Sequence, residues 1–235
     1  MFRHQIDGRL VGQNRLVALD LAGHGRSSDA IDPARTYTLS GFADVAREAL
    51  SLLAIEEVVV VGWSLGGHIA LDMMEQFSRA KGLVLVGTPP VGQDTFSAGF
   101  RPSPHLKLAA RARWSDPDVE RFGHAIFGEA FSPELRAALV RTDGIARSTL
   151  FEARRAGVGA DQRKLVESLT MPIAVLNGAE DPLINLDYLD SISFKNLWRG
   201  QCQRIAGAGH APFLQKPTVF NEMLNEYLAE LANHG

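Results

Sequence analysis

The chain has 235 residues, long enough for one sizeable α/β domain and too short for two large ones. Hydrophobic residues make up 46% and charged residues 22%, which disfavours the disordered, collagen-like and membrane-spanning classes. The 24 Lys and Arg against 27 Asp and Glu give a formal net charge of -3, which offers no overall attraction to nucleic acid or anionic lipid. We therefore predict neither a nucleic-acid partner nor a membrane partner.

The N-terminal segment and the cysteine content both favour a cytoplasmic protein. The segment MFRHQIDGRL places Arg3, His4, Asp7 and Arg9 where a signal peptide needs an apolar run, and no later run approaches membrane-spanning length. The single cysteine, Cys202, excludes an intramolecular disulfide and any multi-cysteine metal site. We expect Cys202 to be a small buried strand residue.

Short β-branched apolar runs alternate with longer segments of helical period, which predicts a mostly parallel sheet covered by helices. The predicted strands are Arg15 to Leu21, Glu57 to Gly62, Leu83 to Gly87, Pro172 to Asn177 and Gln203 to Ala206. The run Val58 to Val61 is apolar at every position. Such a run is typical of a strand buried on both faces in the middle of a parallel sheet.

Helical spacing of apolar residues predicts two covering helices, one from Phe42 to Leu53 and one from Phe220 to Leu231. The stretch from Thr88 to Thr170 contains no convincing strand but several helix starts. Asp116-Pro117 and Ser132-Pro133 are examples, because each offers an N-cap followed by proline at the first helical position.

These segments divide the chain into a core and an insertion. Residues 1–87 and 171–235 are predicted to form the α/β core, and residues 88–170 a helical cap over the sheet. Pro89-Pro90 and Met171-Pro172 are the expected hinges, because proline and the residue before it both resist helix continuation.

A G-x-S-x-G motif lies between a predicted strand and a predicted helix, within VVVVGWSLGGHIA. It consists of Gly62, Trp63, Ser64, Leu65 and Gly66. A serine hydroxyl is a weak nucleophile, so it must project from a tight turn toward a base, and the flanking glycines make room for that turn. The turn should also aim the backbone N–H of Leu65 at a carbonyl oxygen under attack, as part of an oxyanion hole. The alternative is an ordinary glycine-rich turn.

Two histidines are candidates for the base. His68 follows Ser64 by one helical turn and is expected to point along the helix surface, in a packing or hydrogen-bonding role. His210 lies in the loop AGAGHAPF after the last predicted strand, where parallel sheets place their sites. Asp181, in PIAVLNGAEDP, is the predicted orienting acid, and its neighbour Glu180 ranks second because adjacent residues cannot both face one imidazole. The order Ser64, Asp181, His210 matches that of one particular fold.

Four phrases carry a family resemblance. They are DLAGHGRS from Asp20 to Ser27, GWSLGG from Gly62 to Gly67, NGAEDP ending at Pro182, and AGHAPF from Ala208 to Phe213. On these residues the chain resembles the α/β-hydrolases over essentially its whole length. The resemblance implies an α/β-hydrolase fold with a helical cap, and a purely structural turn at Gly23, His24 and Gly25.

A narrower resemblance is to the serine-dependent N-acyl-homoserine lactone hydrolases of this fold. It is carried by SDAIDPARTY, GWSLGGH, GTPPV, RTDGIAR and AGHAPF, which are longer than catalysis requires. The H-x-H-x-D-H ligand cluster that resembles metal-dependent lactonases is absent, and no other His, Asp or Glu cluster has convincing metal spacing. No metal and no other cofactor are predicted.

The N-terminus departs from the family pattern. Family members begin with further strands and a His-Gly loop that supplies a second oxyanion donor, whereas only a short helix-like segment precedes Arg15 here. We therefore expect a chain truncated at its N-terminus. One missing strand would lie between the Arg15 to Leu21 strand and the strand before Ser64. Those two strands must then pair directly, pair with another chain as in a homo-oligomer, or leave buried backbone groups unsatisfied.

The expected function is hydrolysis of a small-molecule ester or lactone, with an N-acyl-homoserine lactone as the leading substrate. Other carboxylester, enol-lactone or carbon-carbon bond hydrolysis on the same triad is one alternative, and a non-catalytic small-molecule receptor is another. The acyl-chain preference depends on how the cap aromatic side chains fold over Ser64. These are Phe96, Phe100, Trp114, Phe122, Phe127 and Phe151, for which simple packing within the cap is at least as good an account.

Overall fold

A computed structural model of the chain describes residues 1–7 and 14–234. Its central element is a four-stranded, all-parallel sheet whose spatial order follows the chain. The strands are β1 (Val58–Trp63), β2 (Ala80–Val86), β3 (Ile173–Gly178) and β4 (Gln203–Ile205). All four carboxyl ends therefore lie at the same edge of the sheet.

Helices connect and cover the strands. Within the described residues they are α1 (Arg3–Ile6), α2 (Pro33–Thr36), α3 (Leu39–Leu52), α4 (Leu65–Met74), α5 (Pro104–Ala109), α6 (Asp116–Phe127), α7 (Pro133–Arg141), α8 (Gly144–Arg155), α9 (Gln162–Ser168), α10 (Leu186–Asp190), α11 (Pro212–Gln215) and α12 (Pro217–His234). In the part of the chain that is described, no helix has the length and apolar character needed to cross a membrane.

The core is centred on β2 and β3. The run Leu83 to Val86 is fully buried, and every residue of β3 is buried. Helix α4 packs against β1, and α3 packs against α4. From α12, the buried Tyr227 hydroxyl donates to the carbonyl oxygen of Pro172 at 2.6 Å and accepts from the amide of Leu83 at 3.1 Å. This side chain ties the C-terminal helix to the two interior strands.

The predicted strand from Arg15 to Leu21 is wrong. The segment forms no strand, and Arg15 to Asp20 are exposed. A strand exists only where its backbone pairs with a neighbour, and within the described residues no strand lies beside the outer edge of β1. The predicted position of Val58 to Val61 is wrong for the same reason, because these residues form an edge strand and are only partly buried.

The other four predicted strands are confirmed, with ends displaced by three residues or fewer. Both predicted covering helices form, as α3 and α12. Ser132 caps α7 as expected, whereas α6 is capped by Ser115, one residue before the predicted Asp116. Residues 88–170 contain α5 to α9 and no β-strand.

Two of the phrases that carry the narrower resemblance meet in space. The fully buried Tyr37, from SDAIDPARTY, donates from its hydroxyl to Oδ2 of Asp143, from RTDGIAR, at 2.7 Å. The Asp143 amide donates to the carbonyl oxygen of Gly23 at 2.8 Å. His24 contacts the carbonyl oxygen of Ala22 through Nδ1, within a turn whose two glycines have positive φ. The turn thus joins the core to α8, in agreement with its expected structural role.

Candidate active site

Ser64 sits at the sharp turn between β1 and α4. Its φ of 50° and ψ of -118° are strained for a residue other than glycine. A Cβ atom at Gly62 would come within 2.5 Å of Gly67 Cα, so the strand and helix approach too closely for any side chain there. A Cβ at Gly66 would meet no atom within 4 Å. The close approach of strand and helix therefore depends on Gly62, and Gly66 is not needed for it.

Hydrogen bonds from β2 hold this turn in place. The Ser64 amide donates to the carbonyl oxygen of Val86 at 2.8 Å. The Thr88 hydroxyl lies 3.0 Å from the carbonyl oxygens of both Ser64 and Val86. The strained conformation is thus fixed by the neighbouring strand.

The structure brings Ser64, His210 and Asp181 together. Ser64 Oγ lies 3.0 Å from His210 Nε2, and His210 Nδ1 lies 2.8 Å from Asp181 Oδ2. Asp181 and His210 are each 1% exposed, so this chain of hydrogen bonds is shielded from water except near the serine. The three side chains follow β1, β3 and β4, which explains how residues so distant in sequence meet at one sheet edge.

Asp181 is held as a carboxylate. Burial alone would raise its pKa, but the nearby charge of His210 and the hydrogen bond to it bring the pKa below its ordinary value. Backbone amides of Leu183 and Ile184 also donate to Oδ1, at 2.9 and 3.1 Å. Glu180 is exposed and accepts from the amide of Gly207 at 3.1 Å, so it does not take part in this arrangement.

The backbone around His210 is fixed by contacts that the sequence did not indicate. Trp63 Nε1 donates to the His210 carbonyl oxygen at 2.7 Å, and its ring lies 5.5 Å from the imidazole between centroids. Gln215 Oε1 accepts from the Gly209 amide at 2.7 Å, while Gln215 Nε2 donates to Phe127 in the predicted cap at 3.1 Å. These side chains tie the histidine loop to the turn at Ser64 and to α6.

The end of β2 packs against the imidazole itself. Gly87 has a φ of +56°, and a Cβ there would lie 2.8 Å from His210 Cε1. The Gly87 amide donates to the buried Asn177 Oδ1 at 2.9 Å. Only glycine suits both the conformation and the space at this position.

Leu65 is the first residue of α4, so its N–H has no acceptor within the helix. It follows Ser64 directly and lies at the positive end of the helix dipole. A negatively charged oxygen bound at the turn would be stabilised there.

The His68 imidazole is hydrogen-bonded to Gln162 and not to the Ser64 hydroxyl. Its Nδ1 lies 2.7 Å from Gln162 Oε1, in α9, and Gln162 Nε2 donates to the His68 carbonyl oxygen at 3.0 Å. This agrees with the hydrogen-bonding role expected for it. Cys202 is only partly buried and lies just before β4, and burial raises its thiol pKa to about 12.

The aromatic residues of the predicted cap differ in which side chains they contact. Phe127 is buried and packs its ring 5.9 Å from that of Trp63, which connects α6 to the turn at Ser64. Phe100 lies 6.2 Å from the His68 ring. Trp114 and Phe122 pack on each other at 4.7 Å. Across the described ranges, no group of three or more His, Cys, Asp or Glu side chains is placed to hold a metal ion.

The family model described as "Alpha/beta hydrolase family" matches residues 2–223. The chain belongs to this family and is a hydrolase.

Solved structures and curated relatives include lactonases and esterases. The chain is 39% identical to a mutant of the N-acyl homoserine lactonase AidH that was crystallised with N-hexanoyl homoserine lactone, with a TM-score of 0.97 over 99% of this chain and 86% of that one. It is 27% identical to a pimeloyl-(acyl-carrier protein) methyl ester esterase of Aromatoleum aromaticum, over 84% of this chain and 80% of the relative. The esterase RhEst1 of Rhodococcus sp. ECU1013, at 24% identity and a TM-score of 0.79 over 98% of this chain and 86% of that one, shares the fold.

Proposed function

We propose that the chain is a serine hydrolase that opens the ring of an N-acyl-homoserine lactone. The observation that carries this proposal is the continuous hydrogen-bonded chain from Ser64 Oγ through the imidazole of His210 to Asp181. The lactone substrate is supported by the similarity to AidH, at 39% identity over 99% of this chain. Cytoplasmic quorum quenching, the destruction of a diffusible acyl-lactone signal, is the corresponding biological role.

The proposed reaction begins with attack of Ser64 Oγ on the lactone carbonyl carbon while His210 Nε2 takes the hydroxyl proton. The negative charge on the carbonyl oxygen is stabilised by the Leu65 N–H. Asp181 holds the imidazole in the required tautomer and stabilises the imidazolium. Collapse of the intermediate breaks the ring C–O bond, and His210 returns its proton to the departing ring oxygen.

Because the departing oxygen belongs to the same molecule, the ring-opened product stays attached to Ser64 as an ester. Water then attacks this acyl-enzyme with His210 again acting as base, and N-acyl-homoserine is released. Direct attack of water on the lactone, assisted by His210, is the mechanistic alternative. Intact mass after acid quenching separates the two, because only the acyl-enzyme route adds the mass of the substrate to the protein.

The experiment that tests the proposal follows acid release from N-hexanoyl homoserine lactone at constant pH. We expect Ser64→Ala to lower kcat by about 10⁴-fold or more, because loss of the nucleophile disables the whole triad. The exposed Ser97→Ala, in the predicted cap, is the matched control and should keep wild-type activity. Full activity in Ser64→Ala would rule out the proposed nucleophile.

Carboxylester hydrolysis by the same residues is the second candidate, favoured by the similarity to the methyl ester esterase. A panel of short acyl esters and N-acyl-homoserine lactones separates the two functions by the ratio of their kcat/KM values. A ratio in favour of the esters would retain the proposed triad and replace the proposed substrate.

A further inference from the structure

A second polar pair lies beside the proposed catalytic residues and takes no part in the mechanism above. It consists of His68 on α4 and Gln162 on α9. His68 follows Ser64 by four residues, and residues at this spacing share a helix face. Gln162 is 0% exposed, so the amide that contacts the imidazole is fully enclosed by protein.

The contacts of Gln162 fix the tautomer of His68. Gln162 Nε2 donates to the His68 carbonyl oxygen at 3.0 Å, which leaves Oε1 as the atom facing the imidazole Nδ1 at 2.7 Å. An amide oxygen accepts hydrogen bonds only, so Nδ1 must carry the proton. Nε2 therefore presents a lone pair and acts as an acceptor.

His68 also stays neutral near pH 7. Burial, together with the charges of Arg154 and His210, lowers its pKa to about 4 against the opposing effect of the hydrogen bond that Nδ1 donates to Gln162. The ring belongs to α4, which begins directly after Ser64. Nε2 makes no hydrogen bond to any residue in the described ranges, and it is not among the enclosed polar atoms that lack a partner. It is an accessible acceptor beside the site.

We infer that His68 Nε2 accepts a hydrogen bond from the amide N–H of the substrate and so selects N-acylated lactones over lactones without that N–H. The inference rests on the proposed function. The amide nitrogen of an acyl-homoserine lactone is bonded to the carbon next to the lactone carbonyl. When that carbonyl lies at Ser64 Oγ, the N–H is within reach of a side chain one helical turn along α4.

The test compares N-hexanoyl homoserine lactone with its analogue in which CH₂ replaces the amide NH. Selectivity is defined as the ratio of the two kcat/KM values. The wild type should prefer the amide by roughly 3- to 10-fold, the range expected for one neutral hydrogen bond. His68→Phe should bring the ratio close to one, whereas the control His4→Phe, on the exposed side of α1, should keep the wild-type ratio.

Gln162→Glu provides a second variant that leaves His68 in place. A carboxylate beside Nδ1 favours the imidazolium, which places a proton on Nε2 and turns the acceptor into a donor. The selectivity should fall here as well, so the inference is tested even if His68→Phe does not fold.

The outcomes separate this inference from the proposed function. A wild-type ratio of one, or an unchanged ratio in a folded His68→Phe or Gln162→Glu, overturns the role of His68 and leaves lactone hydrolysis standing. Hydrolysis of esters without hydrolysis of either lactone overturns the proposed substrate and the role of His68 together.

Discussion

The interior of the sheet and its β1 flank are built from similar residues and behave differently. In β2, Leu83, Val84 and Leu85 are each 0% exposed, and the strand pairs on both sides. On the β1 flank, Val17 and Leu19 are 42% and 44% exposed, in a segment that pairs with no strand in the described parts of the chain. β-branched and apolar sequence therefore makes a strand only where a neighbouring backbone completes the hydrogen bonds.

The candidate site depends mainly on the interior. Ser64 follows the edge strand β1, but its amide and carbonyl are held by Val86, at the end of β2, and by Thr88, just beyond it. Asp181 and His210 follow β3 and β4. The proposed catalytic geometry is therefore set mainly by β2, β3, β4 and the loops that follow them, and the predictions below compare the interior of the sheet with its β1 flank.

The largest effect is expected at the carboxylates after β3. Asp181→Asn should lower kcat by about 10⁴-fold, because an amide can donate to His210 Nδ1 and so favour the wrong tautomer. The neighbouring Glu180→Gln is the matched control, and it should stay within about twofold of the wild type because the side chain is exposed. Steady-state hydrolysis of the same lactone measures both. Equal losses in the two variants would contradict the assigned roles.

A pair of leucine truncations compares the interior of the sheet with its β1 flank directly. Leu85→Ala, in β2, should lower the free energy of unfolding by about 3–5 kcal/mol, because it removes a fully buried side chain from a packed core. Leu19→Ala should change it by no more than about 0.5 kcal/mol. Urea unfolding of both variants gives the two values. A large cost at Leu19 would show that this segment is buried in solution, contrary to the structure.

Gly87→Ala tests the contact between β2 and the imidazole. The added methyl group would press on His210 Cε1 and requires an unfavourable backbone conformation. We expect kcat to fall by about 10²-fold in a protein that still folds, since small displacements of a catalytic group have effects of this size. Circular dichroism checks the fold beside the kinetic assay. Wild-type kcat in a folded variant would show that the loop does not position His210.

The last prediction concerns the pH dependence of stability at His68. Its folded-state pKa of about 4 lies below the ordinary value of 6.5, so the unfolded chain binds a proton more readily between these values. Stability should therefore fall as the pH falls from about 6.5 to about 4, and His68→Phe should reduce this slope. Urea midpoints at a series of pH values measure it, and an unchanged slope would mean that His68 titrates normally in the folded protein.

Much of the site could be predicted because its signals are local. The glycines around Ser64, and the apolar runs that predict a strand before Asp181 and before His210, can each be recognised within a few residues of sequence. The sequence favours Asp181 over Glu180 as the partner of His210 but does not exclude Glu180. In the structure Asp181 is buried against His210, whereas Glu180 is exposed. The contacts of Trp63 and Gln215 to the histidine loop join distant segments, so no local pattern could indicate them. The prediction of a strand from Arg15 to Leu21 was wrong because strand formation also requires a neighbouring strand to pair with, which a local sequence pattern does not report.

Covalent labelling of Ser64 tests the central claim most directly. A fluorophosphonate phosphonylates a serine, with loss of fluoride, only where a base and an oxyanion site activate the hydroxyl. We predict one adduct per chain by intact mass, located on Ser64 by peptide mapping and lost in His210→Ala. Labelling of another residue, or no labelling of a folded wild-type protein, would contradict the assignment of Ser64, His210 and Asp181 as the catalytic residues.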